Sequence, residues 1–169
     1  FLALKSSSLA EIPVPFETIK EAKGWLNLVT MRGEQPWVGY ISPERNQSMT
    51  SVGVFSRMLF QEPSDMPSIL GGINIINSSR PSWGKINDFY YWYYGNLSMY
   101  QAGGEAWSKW NHALKNTLVP NQEKKGCQKG SWSSGRNSGG RVYWTAINAL
   151  SLEVYYRYPI IFNQKLSEK

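Results

Sequence analysis

Apolar residues recur along most of the chain at the spacing of an α-helix. The segment from Pro15 to Thr30 shows the pattern in its simplest form, with apolar residues at intervals of three and four. These residues are Ile19, Ala22, Leu26 and Val29. Lys20, Lys23 and Asn27 occupy the other side of the same predicted helix. The pattern therefore predicts a surface helix that buries one apolar stripe.

Five further segments have helical spacing, so the sequence predicts six full helices. The segments run from about Ser48 to Gln61, Pro67 to Asn77, Asn87 to Ala102, Glu105 to Val119 and Arg141 to Tyr156. Aromatic residues fill much of the Asn87–Ala102 segment, and aromatic residues favour strands. That segment is nevertheless too long for a typical strand and lacks strict alternation, so we predict a largely buried helix there. The predicted fold class is all-α.

The order of these helices indicates a repeat. Helices with one apolar stripe alternate with helices that are apolar on two sides, and a tryptophan precedes each two-sided helix. These tryptophans are Trp37, Trp83 and Trp132. Their spacing of roughly fifty residues is typical of repeated helical hairpins. We therefore predict one repeat domain over residues 1–169, with the two-sided helices inside and Phe1–Lys5 as the end of another inner helix.

The segment from Lys115 to Trp132 carries a more specific pattern. Gln122 follows Leu118 and, after a gap of seven residues, Gly130-Ser131-Trp132 closes the segment. This pattern resembles the QW repeat of squalene and hopene cyclases, although the gap is longer than usual. Together with the later Gly139–Tyr143 stretch, it makes the chain similar to bacterial prenyltransferase and squalene-oxidase repeat proteins. The resemblance implies a partial α/α toroid, with this chain as the C-terminal part of a larger toroid.

The catalytic motifs of these families have no counterpart in the chain. Triterpene cyclases use an Asp-x-Asp-Asp cluster, whereas Asp65 and Asp88 are the only aspartates here. Protein prenyltransferases hold zinc with Asp, Cys and His, and Cys127 and His112 lie in no matching local motif. The Cys-Gly-Glu-Gln motif of thioester domains is also missing at Cys127. We expect a non-catalytic domain for binding or scaffolding, without metal or cofactor. The alternative is a terpenoid cyclase or prenyltransferase-type enzyme, acting on isoprenoid substrates, whose catalytic residues lie upstream.

A ligand would most simply bind where the inner helices begin and meet the tryptophan-bearing loops. The candidate residues there are Trp83, Asp88, Tyr91, Trp132, Arg141 and Tyr143. Their rings would supply apolar or stacking surface to a hydrophobic or isoprenoid ligand, and Asp88 and Arg141 would orient it. In the alternative interpretation, the tryptophans only hold the hairpins together and Asp88 caps a helix.

Charge and cysteine content narrow the remaining functions. The net charge is +6, but the basic residues are densest in a Gly- and Ser-rich stretch at 121–140 that we predict to be a solvated loop. The sequence has no focused basic patch with interleaved stacking groups, so it does not indicate specific nucleic-acid binding. One cysteine excludes an internal disulfide, and no apolar run reaches the ~20 residues that span a bilayer.

An open arc of helices exposes apolar faces, so we expect upstream repeats or self-association.

Overall fold

The computed structural model describes residues 1–60, 62–135 and 139–162. Within these ranges it contains eight α-helices and no β-strand, which confirms the all-α prediction. The helices are α1 (Leu2–Leu9), α2 (Phe16–Leu28), α3 (Gln47–Leu59), α4 (Met66–Ser78), α5 (Phe89–Ala102), α6 (Gly104–Leu118), α7 (Gly140–Leu152) and α8 (Val154–Arg157). Short 3-10 turns occur at Pro63–Asp65 and Gly126–Gln128.

The six predicted helices correspond to α2 through α7, with two corrections to their bounds. The last predicted helix, Arg141–Tyr156, is interrupted at Glu153 and continues as the separate helix α8. The first helix, α1, extends to Leu9, beyond the predicted Phe1–Lys5. The predicted end of the second helix at Gln61, and residues 163–169 of the predicted domain, lie outside the described residues.

The odd-numbered helices form a row in which α1 contacts α3, α3 contacts α5, and α5 contacts α7. At the start of α3, Ser48 donates a hydrogen bond to Asp88, the residue that precedes α5. The Phe89 and Trp144 rings lie 5.8 Å apart at the starts of α5 and α7. Seven residues further along both helices, Asn96 donates to the carbonyl of Ser151. Helices α3, α5 and α7 therefore run in the same direction.

Helices α4 and α6 form a second layer that runs against the first. Tyr100, near the end of α5, packs on Trp107 near the start of α6, and Tyr91 near the start of α5 packs on the later Trp110. This reversed order shows that α5 and α6 are antiparallel. Helix α4 contacts α3, α5 and α6, so it fills the space between neighbouring members of the row.

The main core lies between these two layers and is built from large rings. Phe89 and Trp110 are fully buried, and Trp92 and Trp144 are nearly so. Gly95 makes the close packing of α5 on α6 possible, because a Cβ atom there would lie 2.6 Å from the Trp110 ring. Burial falls toward the ends of the row, and α1 has no buried residue. The ends therefore contribute much less than α3 and α5 to the core.

A buried ionic network joins α2, α3 and the 3-10 turn at Pro63–Asp65. Lys23 lies 2.9 Å from Asp65, and Arg57 lies 3.0 Å from the other oxygen of the same carboxylate. Arg57 also donates to Thr30. The prediction that Lys23 lies on the polar side of its helix is wrong, because its side chain is only 11% exposed. The acidic partner that makes this burial possible comes from a distant part of the sequence.

Candidate functional site

Asp88 caps the N-terminus of α5 and connects α5 to α3. One carboxylate oxygen accepts a hydrogen bond from the Tyr91 backbone N–H at 3.0 Å, and the other accepts from the Ser48 hydroxyl at 3.1 Å. An acid at this position satisfies an otherwise unpaired helix N–H and interacts favourably with the helix dipole. Both carboxylate oxygens of Asp88 are therefore already engaged in structural hydrogen bonds.

Tyr91 and Trp132 are the most deeply buried of the six candidate residues, each with 4% of its surface exposed. The Tyr91 hydroxyl lies 2.9 Å from the carbonyl of Ser79 and 3.2 Å from that of Ile76, at the end of α4. Burial raises the pKa of the Tyr91 phenol. The Trp132 indole N–H donates to Leu118, the last residue of α6. Both rings join the end of one helix to a neighbouring segment and present almost no surface to a ligand.

Trp83 and Arg141 lie in different surroundings. Trp83 is partly exposed and packs against Phe89 and Trp92, with ring centroids 5.9 and 6.5 Å apart. Arg141 is half-buried and donates to the Ser131 hydroxyl at 3.1 Å. It lines a groove of about 450 Å³ beside α7, which also contains Cys127. The structure therefore places Arg141 in this groove, and Asp88 lies outside the lining of the groove.

Tyr143 belongs to a group of phenols that we call the tyrosine cluster. Its members are Tyr40, Tyr90, Tyr94 and Tyr143. The Tyr90 and Tyr94 rings lie 4.9 Å apart, one helical turn from each other on α5. Partial burial, followed by the nearby phenols of the other three members, raises the pKa of Tyr90 to about 12. Burial and the proximity of Tyr94 and Asp88 also raise the pKa of Tyr143. The cluster thus reaches from α5 to α7, with Asp88 at its edge.

The sequence indicated only part of this cluster. The run of aromatic residues at the start of α5 contains Tyr90 and Tyr94, whose spacing of four places them on one helix face. Tyr40 follows no periodic pattern, because it lies in the connection between α2 and α3, where its side chain is 70% exposed. Tyr40 lies close to Tyr90 because of the way in which the connection between α2 and α3 packs beside the helix row.

The tyrosine cluster is suited to recognition. Phenol hydroxyls donate and accept hydrogen bonds, so the cluster offers polar groups together with aromatic faces. Such groups bind ligands that have an apolar body and a polar end. Over the ranges that the structure describes, no three His, Cys, Asp or Glu residues group as a metal site. None of the described helices is long and apolar enough to cross a membrane.

The segment that suggested a QW repeat closes the end of α6. The Gln122 side chain donates to the carbonyl of Gly130 at 2.8 Å, and the Trp132 indole N–H reaches the carbonyl of Leu118, also at 2.8 Å. Gln122 therefore stabilises the loop, while Trp132 satisfies the helix end. Comparison with protein-family models, with curated proteins and with solved structures found no match to this chain.

Proposed function

We propose that the chain is a terpenoid-cyclase-like repeat domain, part of an α/α toroid, that binds a ligand without catalysing a reaction. The parallel row of α3, α5 and α7, with α4 and α6 packed behind it, supports this architecture. The tyrosine cluster is the binding surface of this proposal. It is the observation that carries the proposal, because it gathers exposed aromatic surface from three separate segments of the chain.

The contacts of Asp88 support a binding role over a catalytic one. A proton donor for a hydrocarbon substrate needs an acidic group directed at the substrate. Asp88 is the one acid among the predicted site residues, and its oxygens accept hydrogen bonds from the Tyr91 N–H and the Ser48 hydroxyl. Its observed role is to hold the start of α5 beside α3, which positions Tyr90 and Tyr94.

The ligand class in this proposal is a hydrophobic molecule with a polar end, such as an isoprenoid alcohol. The rings of Tyr90 and Tyr94 would cover its apolar body, and the exposed hydroxyls of Tyr40 and Tyr143 would bind its polar end. An aromatic contact of this kind contributes about 0.5–1.5 kcal/mol beyond the area it buries. Removing one exposed ring should therefore weaken binding by roughly 2- to 10-fold.

Titration of the whole chain with geranylgeraniol, followed by calorimetry, tests the proposal. Tyr40→Ser and Tyr143→Ser should each weaken binding by the stated factor, because both side chains are partly exposed and belong to the cluster. Tyr156→Ser is the matched control, since Tyr156 is 82% exposed and lies on α8, outside the cluster. Equal losses in all three variants, or no measurable binding by the wild type, would reject the tyrosine cluster as an isoprenoid site.

Mass spectrometry of the same mixtures separates binding from catalysis. Recovery of unchanged geranylgeraniol, and of unchanged geranylgeranyl diphosphate in a parallel incubation, is the expected result. A new cyclic or prenylated product would instead favour the enzyme alternative. Because that alternative places the catalytic residues upstream, the incubation is also performed with the longest natural form of the protein that can be expressed.

A further inference from the structure

We propose that copies of this chain associate end to end, with Trp25 of one copy inserted into the groove beside α7 of the next. This interface contains no member of the tyrosine cluster, although Trp25 lines one surface pocket with Tyr40, and it does not depend on the proposed ligand. It uses two surfaces that are uncovered in the described part of the chain, one on α7 at the end of the helix row and one on α2.

The first uncovered surface lies on α7. Helices α3 and α5 each have a neighbour in the row on both sides, whereas among the described helices α7 has only α5 as a row neighbour. Its outer side carries Val142, which is 85% exposed, and the exposed Ala146 one turn later. The sequence predicted two apolar sides for this helix; Ile147 on one of them is buried, whereas Ala146 on the other is exposed. The other side is an apolar surface suited to a further packing partner.

This surface forms one wall of the groove of about 450 Å³. The opposite wall comes from the 3-10 turn at Gly126–Gln128 and the residue after it. Val142 and Ala146 make part of the lining apolar, while Lys129 and Arg141 place two cations in the same lining. A large aromatic ring matches this combination, because it fills apolar space and also attracts cations to its face.

The second uncovered surface lies on α2 and carries such a ring. Trp25 is 53% exposed and Leu28 is 70% exposed. Glu21, which is also exposed, precedes Trp25 by one helical turn. These three residues are spaced by four and three, so they form one stripe along the helix. An isolated exposed tryptophan is unremarkable, but here it lies between an apolar residue and an acid.

Charge complementarity identifies a second copy of the chain as the partner. The α2 stripe presents an aromatic ring beside a carboxylate, and the groove presents apolar side chains beside two cations. The indole would enter the groove and Glu21 would lie beside Lys129 or Arg141. Because the two surfaces differ and lie on different helices, the contact is head to tail and adds copies without closing a symmetric dimer.

Sedimentation velocity over a range of protein concentrations tests the association. The wild type should show a mass that rises with concentration beyond the dimer and falls with added salt, because the charged part of the contact is screened. Trp25→Ala should sediment as a monomer over the same range. Val119→Ala is the matched control, since Val119 is 56% exposed, follows α6 and lines neither the groove nor the α2 stripe. A wild type that remains monomeric at every concentration, or association that survives Trp25→Ala, would overturn the proposal.

Cross-linking tests the identity of the two surfaces. Cys127 is the only cysteine, is exposed and lines the groove. In Thr18→Cys, whose exposed position lies one turn before Glu21 and keeps all three contact residues, a short bismaleimide should join position 18 of one copy to Cys127 of the next and yield a ladder of oligomers. Lys109→Cys, on the exposed side of α6, should give no ladder above the wild-type background. Efficient joining of Cys127 to Cys127 in the wild type would indicate a symmetric contact and contradict the head-to-tail arrangement.

Discussion

Substitution of Asp65 should destabilise the fold more than substitution of any exposed charge. Asp65 is 5% exposed and binds Arg57, which is 3% exposed, and Lys23. Its carboxylate also accepts a hydrogen bond from the backbone N–H of Glu62. In Asp65→Asn the shape of the side chain is kept but its charge is removed. Arg57 would then remain buried without an acidic partner among its observed contacts.

The expected loss can be bounded from these contacts. Removing one partner of a buried ion pair costs about 3–5 kcal/mol, mostly because the remaining charge stays desolvated. Lys23 would keep the Glu62 carboxylate at 2.7 Å and the Phe60 carbonyl at 2.9 Å. Among the residues that the structure describes, Arg57 would keep Thr30 as a side-chain partner. We therefore expect a loss of about 3 kcal/mol, a large part of the 5–15 kcal/mol that is typical of a folded domain.

Urea unfolding followed by circular dichroism measures this loss. The midpoint should fall in Asp65→Asn while the slope is unchanged, since the surface exposed on unfolding is the same. Glu62→Gln is the control, because that side chain is 59% exposed and its ion pair with Lys23 should contribute about 0–1 kcal/mol. The double variant Arg57→Met with Asp65→Leu should recover most of the stability. If Asp65→Asn and Glu62→Gln lose the same free energy, the network does not depend on the buried carboxylate.

Three further outcomes follow from the packing of the helices. In urea unfolding, Gly95→Ala should lower the free energy of unfolding by about 1–3 kcal/mol, because the added Cβ clashes with the Trp110 indole ring. Gly24→Ala should instead raise the free energy of unfolding by about 0.5–1 kcal/mol, because Gly24 has open space around it. Trp132→Phe should lower the thermal midpoint, because it removes the indole hydrogen bond to the Leu118 carbonyl, worth about 0.5–1.5 kcal/mol, and leaves that carbonyl with the Asn121 backbone N–H alone. In thermal melts, the unfolding midpoint should also fall as the pH rises from about 10 toward 12. Over that range the unfolded state loses its tyrosine protons first, while Tyr90 in the folded state keeps its own.

The sequence predicted the helices better than it predicted the site. Helical spacing located α2 through α7, because a helix that buries one face has apolar residues at intervals of three and four in its sequence. The preference of Asp for helix N-termini gave an N-cap role for Asp88 as one of two interpretations, and the observed hydrogen bond to the Tyr91 N–H agrees with it. Local rules apply here because a cap and its partner are three residues apart.

Contacts between residues that are distant in the sequence could be seen only in the folded structure. Lys23 has a polar position in its own helix, yet it is buried because Asp65 comes to it across the fold. Tyr40 has no local signal, and it approaches Tyr90 only because the helix row brings the two together. Burial of an ion or assembly of a surface depends on partners from separate segments, and helical periodicity carries no information about them. Helical periodicity was therefore enough to predict an all-α chain of alternating helices, whereas the packing determined which polar and aromatic side chains meet.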